Sequence, residues 1–357
     1  MTAESITVGG PQVHVVADLG GTTLRIGRVT GGSSRVEDVR RIATEGLGRY
    51  GTLSAQALQD RVMEQLGAEL AAYLESPSGA GASAVGVSFA GPMSRDGVVL
   101  AGPTLWGGDA EPLPVARLLT QRLGLPVLAA NDITAAAWRY AAVEAAPFCL
   151  ITVSSGIGSK VFRHGEVLID EAGHGGEIGH WRVDPSDSAP PCECGGRGHL
   201  GAIASGRGVL LGARRAAAED PGGFARSVLA GPAGNRPEGV TNEALAAAIR
   251  EGDPFATAVL RTALVPLASA VNCIFTAIGI RRYLFIGGFA IAVGQRFLTL
   301  LGDELTRLGC FGLSDSETRD MLALGAADDD HCLIGIGQML ARTLPASEVT
   351  GAHTHRR

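Results

Sequence analysis

The chain has 357 residues, 46% of them hydrophobic, with 51 glycines and a net charge of -6. That length and composition predict a globular protein of two ordinary-sized domains with a buried core. The acidic balance argues against a nucleic-acid or anionic-membrane partner, and positive charge is carried almost wholly by arginine, with Lys160 the only lysine.

Residues 13–19 (Val-His-Val-Val-Ala-Asp-Leu) read as a buried strand, turned at Gly20-Gly21 into a second strand over Thr23–Val29, with a third over Arg35–Ala43. Leu58, Val62, Leu66 and Leu70 are spaced for one apolar face of a helix over Leu53–Leu74. Ser83–Phe89 reads as a strand, Leu113–Leu123 as a helix, Pro126–Ala130 as a short strand ending at Asn131-Asp132, and Ile133–Ala146 as a helix. The pattern then repeats: a buried strand over Phe148–Val153, a small-residue turn over Ser154–Gly158 and a returning strand over Lys160–Arg163. Helices are expected over Asn242–Arg250, Pro254–Ile278, Val293–Leu308 and Leu333–Thr343, with a strand over Arg282–Ile286 that ends in Gly287-Gly288. Residues 345–357 are polar and expected to fray. Each half thus opens with a strand, a glycine-containing turn and a returning strand, which is not the β-α-β order of a dinucleotide-binding domain.

Cys149, Cys273, Cys310 and Cys332 lie singly in apolar segments, the habit of reduced thiols, so a reducing cytoplasm is expected. No basic region followed by an apolar run marks a signal peptide. Residues 254–280 come nearest to a membrane span, but Arg261 and Asn272 interrupt them.

Several stretches carry chemistry. Asp18 stands at a strand end, followed by Gly20 and Gly21, whose amides no side chain obstructs, and by the hydroxyls of Thr22 and Thr23. Such a turn cradles phosphate, with Asp18 holding magnesium directly or through water; alternatively it is a tight hairpin with a capping aspartate. Ser155, Gly156 and Gly158 form a second small turn, open to the same two readings. Asn131-Asp132 is either a helix N-cap or the site of a general base that accepts a hydroxyl proton in phosphoryl transfer. Gly287 and Gly288 either let adenine or ribose lie against the backbone or serve close strand–helix packing. Glu177-Ile-Gly-His180 is followed, after a polar, proline-rich linker, by Cys192-Glu-Cys194-Gly-Gly-Arg-Gly198-His199. Thiolate and imidazole together suit a tetrahedral zinc site built from His180, Cys192, Cys194 and His199, with His174 in reserve. The alternative is a glycine-rich turn with unpaired thiols.

Taken in order, these motifs resemble those of the ROK sugar kinases, from about residue 13 to about residue 340. The resemblance implies an α/β, actin-like ATPase fold of two ribonuclease-H-like domains with a cleft between them. A small N-terminal domain over 1–129 is expected, completed by a C-terminal helix near 332–344, with a large domain over 130–331 carrying the zinc-binding loop. It further implies ATP, Mg2+ and a structural Zn2+, with Asp132 as base and Asn131, Glu177, His180 and Thr104 as substrate contacts. His180 would serve twice, one ring nitrogen on zinc and the other toward substrate.

Three positions depart from the family pattern. His199 replaces a zinc-ligating cysteine, Gly201 a glutamate that grips sugar hydroxyls, and Ser154 the first glycine of the second phosphate turn. The loop Thr104-Leu-Trp106 also stands where the family carries an asparagine-containing loop. Losing the glutamate removes charge-assisted hydrogen bonds worth about 1.5–3 kcal/mol each, which argues against a plain hexose. The whole chain is similar to the C7-cyclitol kinases of aminocyclitol biosynthesis, which implies the 7-hydroxyl of 2-epi-5-epi-valiolone as acceptor. A glucokinase and an inactive sugar sensor are the alternatives. A repressor is not expected, since only 17 residues precede Asp18. A homo-oligomer is left open.

Overall fold

The computed structural model describes residues 12–108 and 110–343, and the expected flexible tail over 345–357 lies outside them. Two compact units form, one running through Ala142 and resuming at Asp330, the other spanning Val143–Asp329.

The first unit is built on a five-stranded sheet of β1 (Val13–Leu19), β2 (Thr23–Thr30), β3 (Glu37–Ala43), β4 (Ala82–Phe89) and β5 (Val127–Asn131), ordered β3-β2-β1-β4-β5. β1, β2 and β3 pair antiparallel, while β4 and β5 run parallel to β1. Successive residues of β1 face opposite ways, so Val15, Ala17 and Leu19 enter one core and Val16 another. On the first face Leu58, Val62, Leu66 and Leu70 of the helix Ala55–Leu74 supply the expected stripe. On the second, Ala135 of the helix Asp132–Ala141 meets Leu333 and Ile336 of the helix His331–Thr343. That packing draws residues 132–141 into the first unit, so the boundary expected at 129 falls after Ala142 instead.

The second unit repeats the topology with β6 (Phe148–Val153), β7 (Ile157–Arg163), β8 (Glu166–Val167), β9 (Tyr283–Ile286) and β10 (Leu322–Leu324), ordered β10-β9-β6-β7-β8. β6, β7 and β8 pair antiparallel and β9 and β10 run parallel to β6. The helix Pro254–Ile278 is long and apolar enough to cross a membrane, yet Leu260, Leu264, Leu267 and Val271 form one helical face buried with Val209, Leu245, Phe285 and Phe297. We read it as a core helix.

Some boundaries differ from expectation. β7 begins at Ile157, so the second small turn is Ser154–Gly156 and Gly158 sits in the ladder opposite Thr152. The helix expected from Val293 to Leu308 starts instead at Gln295, because Gly294, with φ 70°, separates it from a short helix over Gly288–Val293. The helix expected to reach Ala146 ends at Ala141.

Candidate active site

In the first unit the site grows from the carboxyl ends of parallel strands, the edge at which open α/β sheets bind ligands. Strand register puts Asp18 of β1 beside Arg25 of β2 and Ser88 of β4, and Phe89 beside Asn131 of β5. The Arg25 guanidinium donates to Asp18 Oδ2 at 2.7 Å and 3.3 Å, and Ser88 Oγ donates to Oδ1 at 2.8 Å. Asp18 is therefore a fixed carboxylate whose negative charge is partly balanced. The turn after it is held by Thr44, whose hydroxyl donates to the Gly20 carbonyl at 2.7 Å and whose amide donates to that of Thr22 at 3.0 Å. Thr104 lies against this turn, because a Cβ added at Gly21 would stand 2.8 Å from its carbonyl oxygen. Trp106, from the same loop, is buried and packs on Phe89 with ring centroids 5.4 Å apart, so it belongs to the core.

Asn131 is the N-cap of the helix Asp132–Ala141: its Oδ1 accepts from the amides of Ile133 and Thr134, both at 3.1 Å. Its Nδ2 donates to Gly91 O at 3.0 Å and to Asp132 Oδ1 at 2.8 Å. Asp132 Oδ1 also accepts from the Ile133 amide at 2.9 Å. The capping role and a fixed Asp132 carboxylate thus coexist. Cys332 sits beneath both carboxylates. Its thiol lies 3.5 Å from the Asp132 carbonyl and is pushed well above the usual thiol range, first by burial and then by the charges of Asp18 and Asp132.

In the second unit Ser155 and Gly156 turn β6 into β7 at the carboxyl ends of β6 and β9. Gly287 ends β9 with φ 93°, and a Cβ there would stand 2.7 Å from Thr152 Oγ1 and from Val153 O. Glycine is therefore required on both steric and conformational grounds, and Gly288 opens the helix Gly288–Val293 beside it. Glu177 leads into a 3₁₀ turn over Ile178–His180 that rests on β7. A Cβ at Gly179 would lie 2.0 Å from the Ile157 carbonyl oxygen, so only glycine permits that approach. Lys160 of β7, which the sequence reading left as a compositional oddity, donates to Glu177 Oε1 at 2.8 Å and to the Gly175 carbonyl at 2.6 Å. A lone lysine within the apolar run Val-Phe of a returning strand was the available signal. Arg25 gave a weaker one, because its pairing with Asp18 depends on the register across the Gly20–Thr22 turn.

The four expected metal ligands come together. Candidate ligand atoms of His180, Cys192, Cys194 and His199 all lie within 4.8 Å of one another. Cys192 Sγ is 3.9 Å from His180 Nδ1, and Cys194 Sγ is 3.2 Å from His199 Nδ1. Ligand atoms about 2.0–2.3 Å from a tetrahedral zinc stand about 3.3–3.8 Å apart, so the donor types suit that ion and the closer pairs have nearly that spacing, while separations of up to 4.8 Å would have to close around it. The imidazole at 199 lies over Gly196, where a Cβ would meet its ring carbon at 2.5 Å. His174 does not join the cluster: its Nδ1 pairs with Asp170 Oδ2 at 3.1 Å on the surface. Position 201 faces the same wall, since a Cβ on Gly201 would stand 3.2 Å from Gly179 O and 3.6 Å from Ile157 N.

Two sheets of one topology, each ending in a small-residue turn beside parallel strands, define an actin-like ATPase. Residues 16–300 match the ROK family, and the chain belongs to it. It is 71% identical over 332 residues to a C(7)-cyclitol 7-kinase of Streptomyces hygroscopicus subsp. jinggangensis, covering 93% of this chain and 95% of that one. Among solved structures it is similar to a ROK family glucokinase from Streptomyces griseus, in complex with glucose and AMPPNP. That likeness has a TM-score of 0.70 at 25% identity, over 94% of this chain and 100% of the other. The ROK hexokinase from Thermus thermophilus is also similar, with a TM-score of 0.67 at 26% identity over 92% and 97% of the two chains.

Proposed function

We propose that the chain is an ATP-dependent kinase of a C7 cyclitol, with the exocyclic 7-hydroxyl of 2-epi-5-epi-valiolone as acceptor. The observation that carries this is the 71% identity to a C(7)-cyclitol 7-kinase across 93% of the chain. In the reaction the bond between the γ-phosphorus and its bridging oxygen breaks and a new P–O bond forms to the acceptor. The hydroxyl proton passes to Asp132, and ADP leaves.

Within the first unit, Gly21, Thr22 and Thr23 donate to phosphate oxygens and Thr104 flanks them, while the Gly20 amide closes the turn on the Thr23 carbonyl at 3.1 Å. Asn131 orients Asp132 through its 2.8 Å amide bond and keeps the base at the start of its helix. Magnesium brought in with ATP supplies charge neutralisation of the phosphates. Asp18, fixed by Arg25 and Ser88, would hold that magnesium, directly or through water. Within the second unit, Ser155 and Gly156 receive phosphate, with Gly158 behind them in the ladder, and Gly287 and Gly288 leave a flat backbone for the nucleoside. Glu177 and His180 hold acceptor hydroxyls. His180, Cys192, Cys194 and His199 would hold a structural zinc, which would cross-link the loop that carries this wall. His180 turns Nδ1 to the cluster and Nε2 to the acceptor. Six unpaired cysteines fit a reducing cytoplasm.

The test compares kcat/KM for the cyclitol and for glucose, with ADP release as readout. A preference for glucose would overturn the cyclitol reading and leave the kinase reading standing; no ADP release with either acceptor would sink both.

A further inference from the structure

Lys160 is 3% exposed, and its ammonium is committed to Glu177 Oε1 and the Gly175 carbonyl. A buried ammonium is tolerated only when paired and hydrogen-bonded. Its partner Glu177 is on the contrary half open, with a side chain 52% exposed. The ion pair therefore has an inner and an outer end: one carboxylate oxygen is locked inward and the other remains on the surface. The loop that bears Glu177 is pressed onto the same strand. Ser159 N and Oγ both donate to Gly176 O, at 3.2 Å and 2.5 Å, and a Cβ on Gly176 would lie 2.3 Å from Ser159 O. β7 thus begins at the small turn assigned to phosphate and, two and three residues later, grips the loop assigned to the acceptor.

We propose that Lys160 is a positioning residue for the acceptor: it fixes Glu177 so that a single, charge-compensated carboxylate oxygen meets one hydroxyl of an uncharged polyol. This rests on the reading that Glu177 touches the acceptor. A bare glutamate would swing among rotamers and carry a full charge into the site. Held by Lys160, it keeps one direction and one acceptor oxygen, and its position is tied through β7 to that of the second small turn. Such preorganisation acts on binding of the polyol and not on that of ATP.

Lys160 is the sole lysine, so the full chain labelled with 15N-lysine gives one side-chain ammonium signal. That signal is expected to shift in Glu177→Gln and to shift again when the polyol is added to wild type. Lys160→Met is expected to raise KM for the polyol about 10–100-fold, the range for a lost charged hydrogen bond. KM for ATP should stay within about twofold, a split that simple loss of fold would not produce. Lys160→Arg, which keeps the charge, should recover part of the loss. In a Glu177→Gln background Lys160→Met should add less than about threefold, because both changes remove one interaction. Unchanged polyol KM in a folded Lys160→Met, or effects of the two changes that simply multiply, would overturn the proposal. Should Lys160→Met not fold, an ammonium signal indifferent to Glu177→Gln overturns it equally. If wild type phosphorylates no polyol, the functional reading falls, and the response of the ammonium to Glu177→Gln still decides the role of Lys160.

Discussion

Restoring a carboxylate at position 201 tests the substrate reading most directly. A Cβ placed on Gly201 would stand 3.2 Å from Gly179 O, a contact that asks Gly179 to give by a few tenths of an ångström. Gly201 is buried, and overpacking costs about 1–3 kcal/mol, about 1 kcal/mol where a single contact gives by that little. Residue 201 lies in the first turn of the helix Leu200–Ala204, where an acidic side chain is favoured by the helix dipole. The neighbouring Glu177 is already compensated by Lys160 at 2.8 Å, so a second carboxylate meets little repulsion. Each charge-assisted bond to a sugar hydroxyl contributes about 1.5–3 kcal/mol. The balance is about 0.5–2 kcal/mol in favour of a hexose, or about 2–30-fold in kcat/KM. Gly201→Glu should therefore raise kcat/KM for glucose relative to the cyclitol by that factor, measured by coupled ADP release with both acceptors. An unchanged ratio, in a variant with wild-type Tm and metal content, would refute the idea that the missing glutamate excludes hexoses.

Asp132→Asn keeps an oxygen for the donors now held by Oδ1 and removes the base; turnover should fall about 10²–10⁴-fold with Tm preserved, and near-full turnover would remove Asp132 from that role. His199→Ala should lower zinc from about one per chain, by elemental analysis of protein purified without added metal, and lower Tm with it; unaltered zinc content would show that His199 is no ligand. His14 is buried beside Ser83, and burial lowers its pKa from the ordinary 6.5. The folded chain then binds fewer protons than the unfolded one, so this stability is complete above 6.5 and is lost as pH falls through the lowered value. His14→Gln should flatten the fall in Tm between about pH 7 and 5.5, and an identical slope would contradict it.

Much of this was legible because the strands and motifs are local. β1 and β6 announce themselves by short apolar runs that end at small-residue turns, β2 by alternation between glycines, and the helix Ala55–Leu74 by its stripe. The four candidate metal ligands lie within twenty residues and were legible as a His/Cys motif, whereas the pairing of His174 with Asp170 needed coordinates. Pairings set by strand register stayed hidden: Asp18 with Arg25 and Ser88, and Lys160 with Glu177. The helix Gly206–Glu219 was missed because alanine, glycine and arginine dominate it and its buried positions include Gly208 and Ala213. The placement of residues 132–141 depended on a partner helix that begins at His331, far along the chain.

That partner has a consequence for synthesis. The face of the first sheet formed by Val16, Val29 and Ala130 is covered with Leu333 and Ile336, which are made after the whole second unit. At about 5–20 residues per second, the roughly two hundred residues between Ala142 and Thr343 take about 10–40 s to emerge. By the end of that interval the second unit, an uninterrupted segment, is complete through Asp329, while the first still waits for residues 331–343 with an apolar face bare. Order of folding is thereby inverted relative to order of translation, and the nascent chain is at its stickiest just before Leu333 and Ile336 emerge. Truncation within the last helix should then yield insoluble protein although the strands bearing Asp18 and Asp132 are intact.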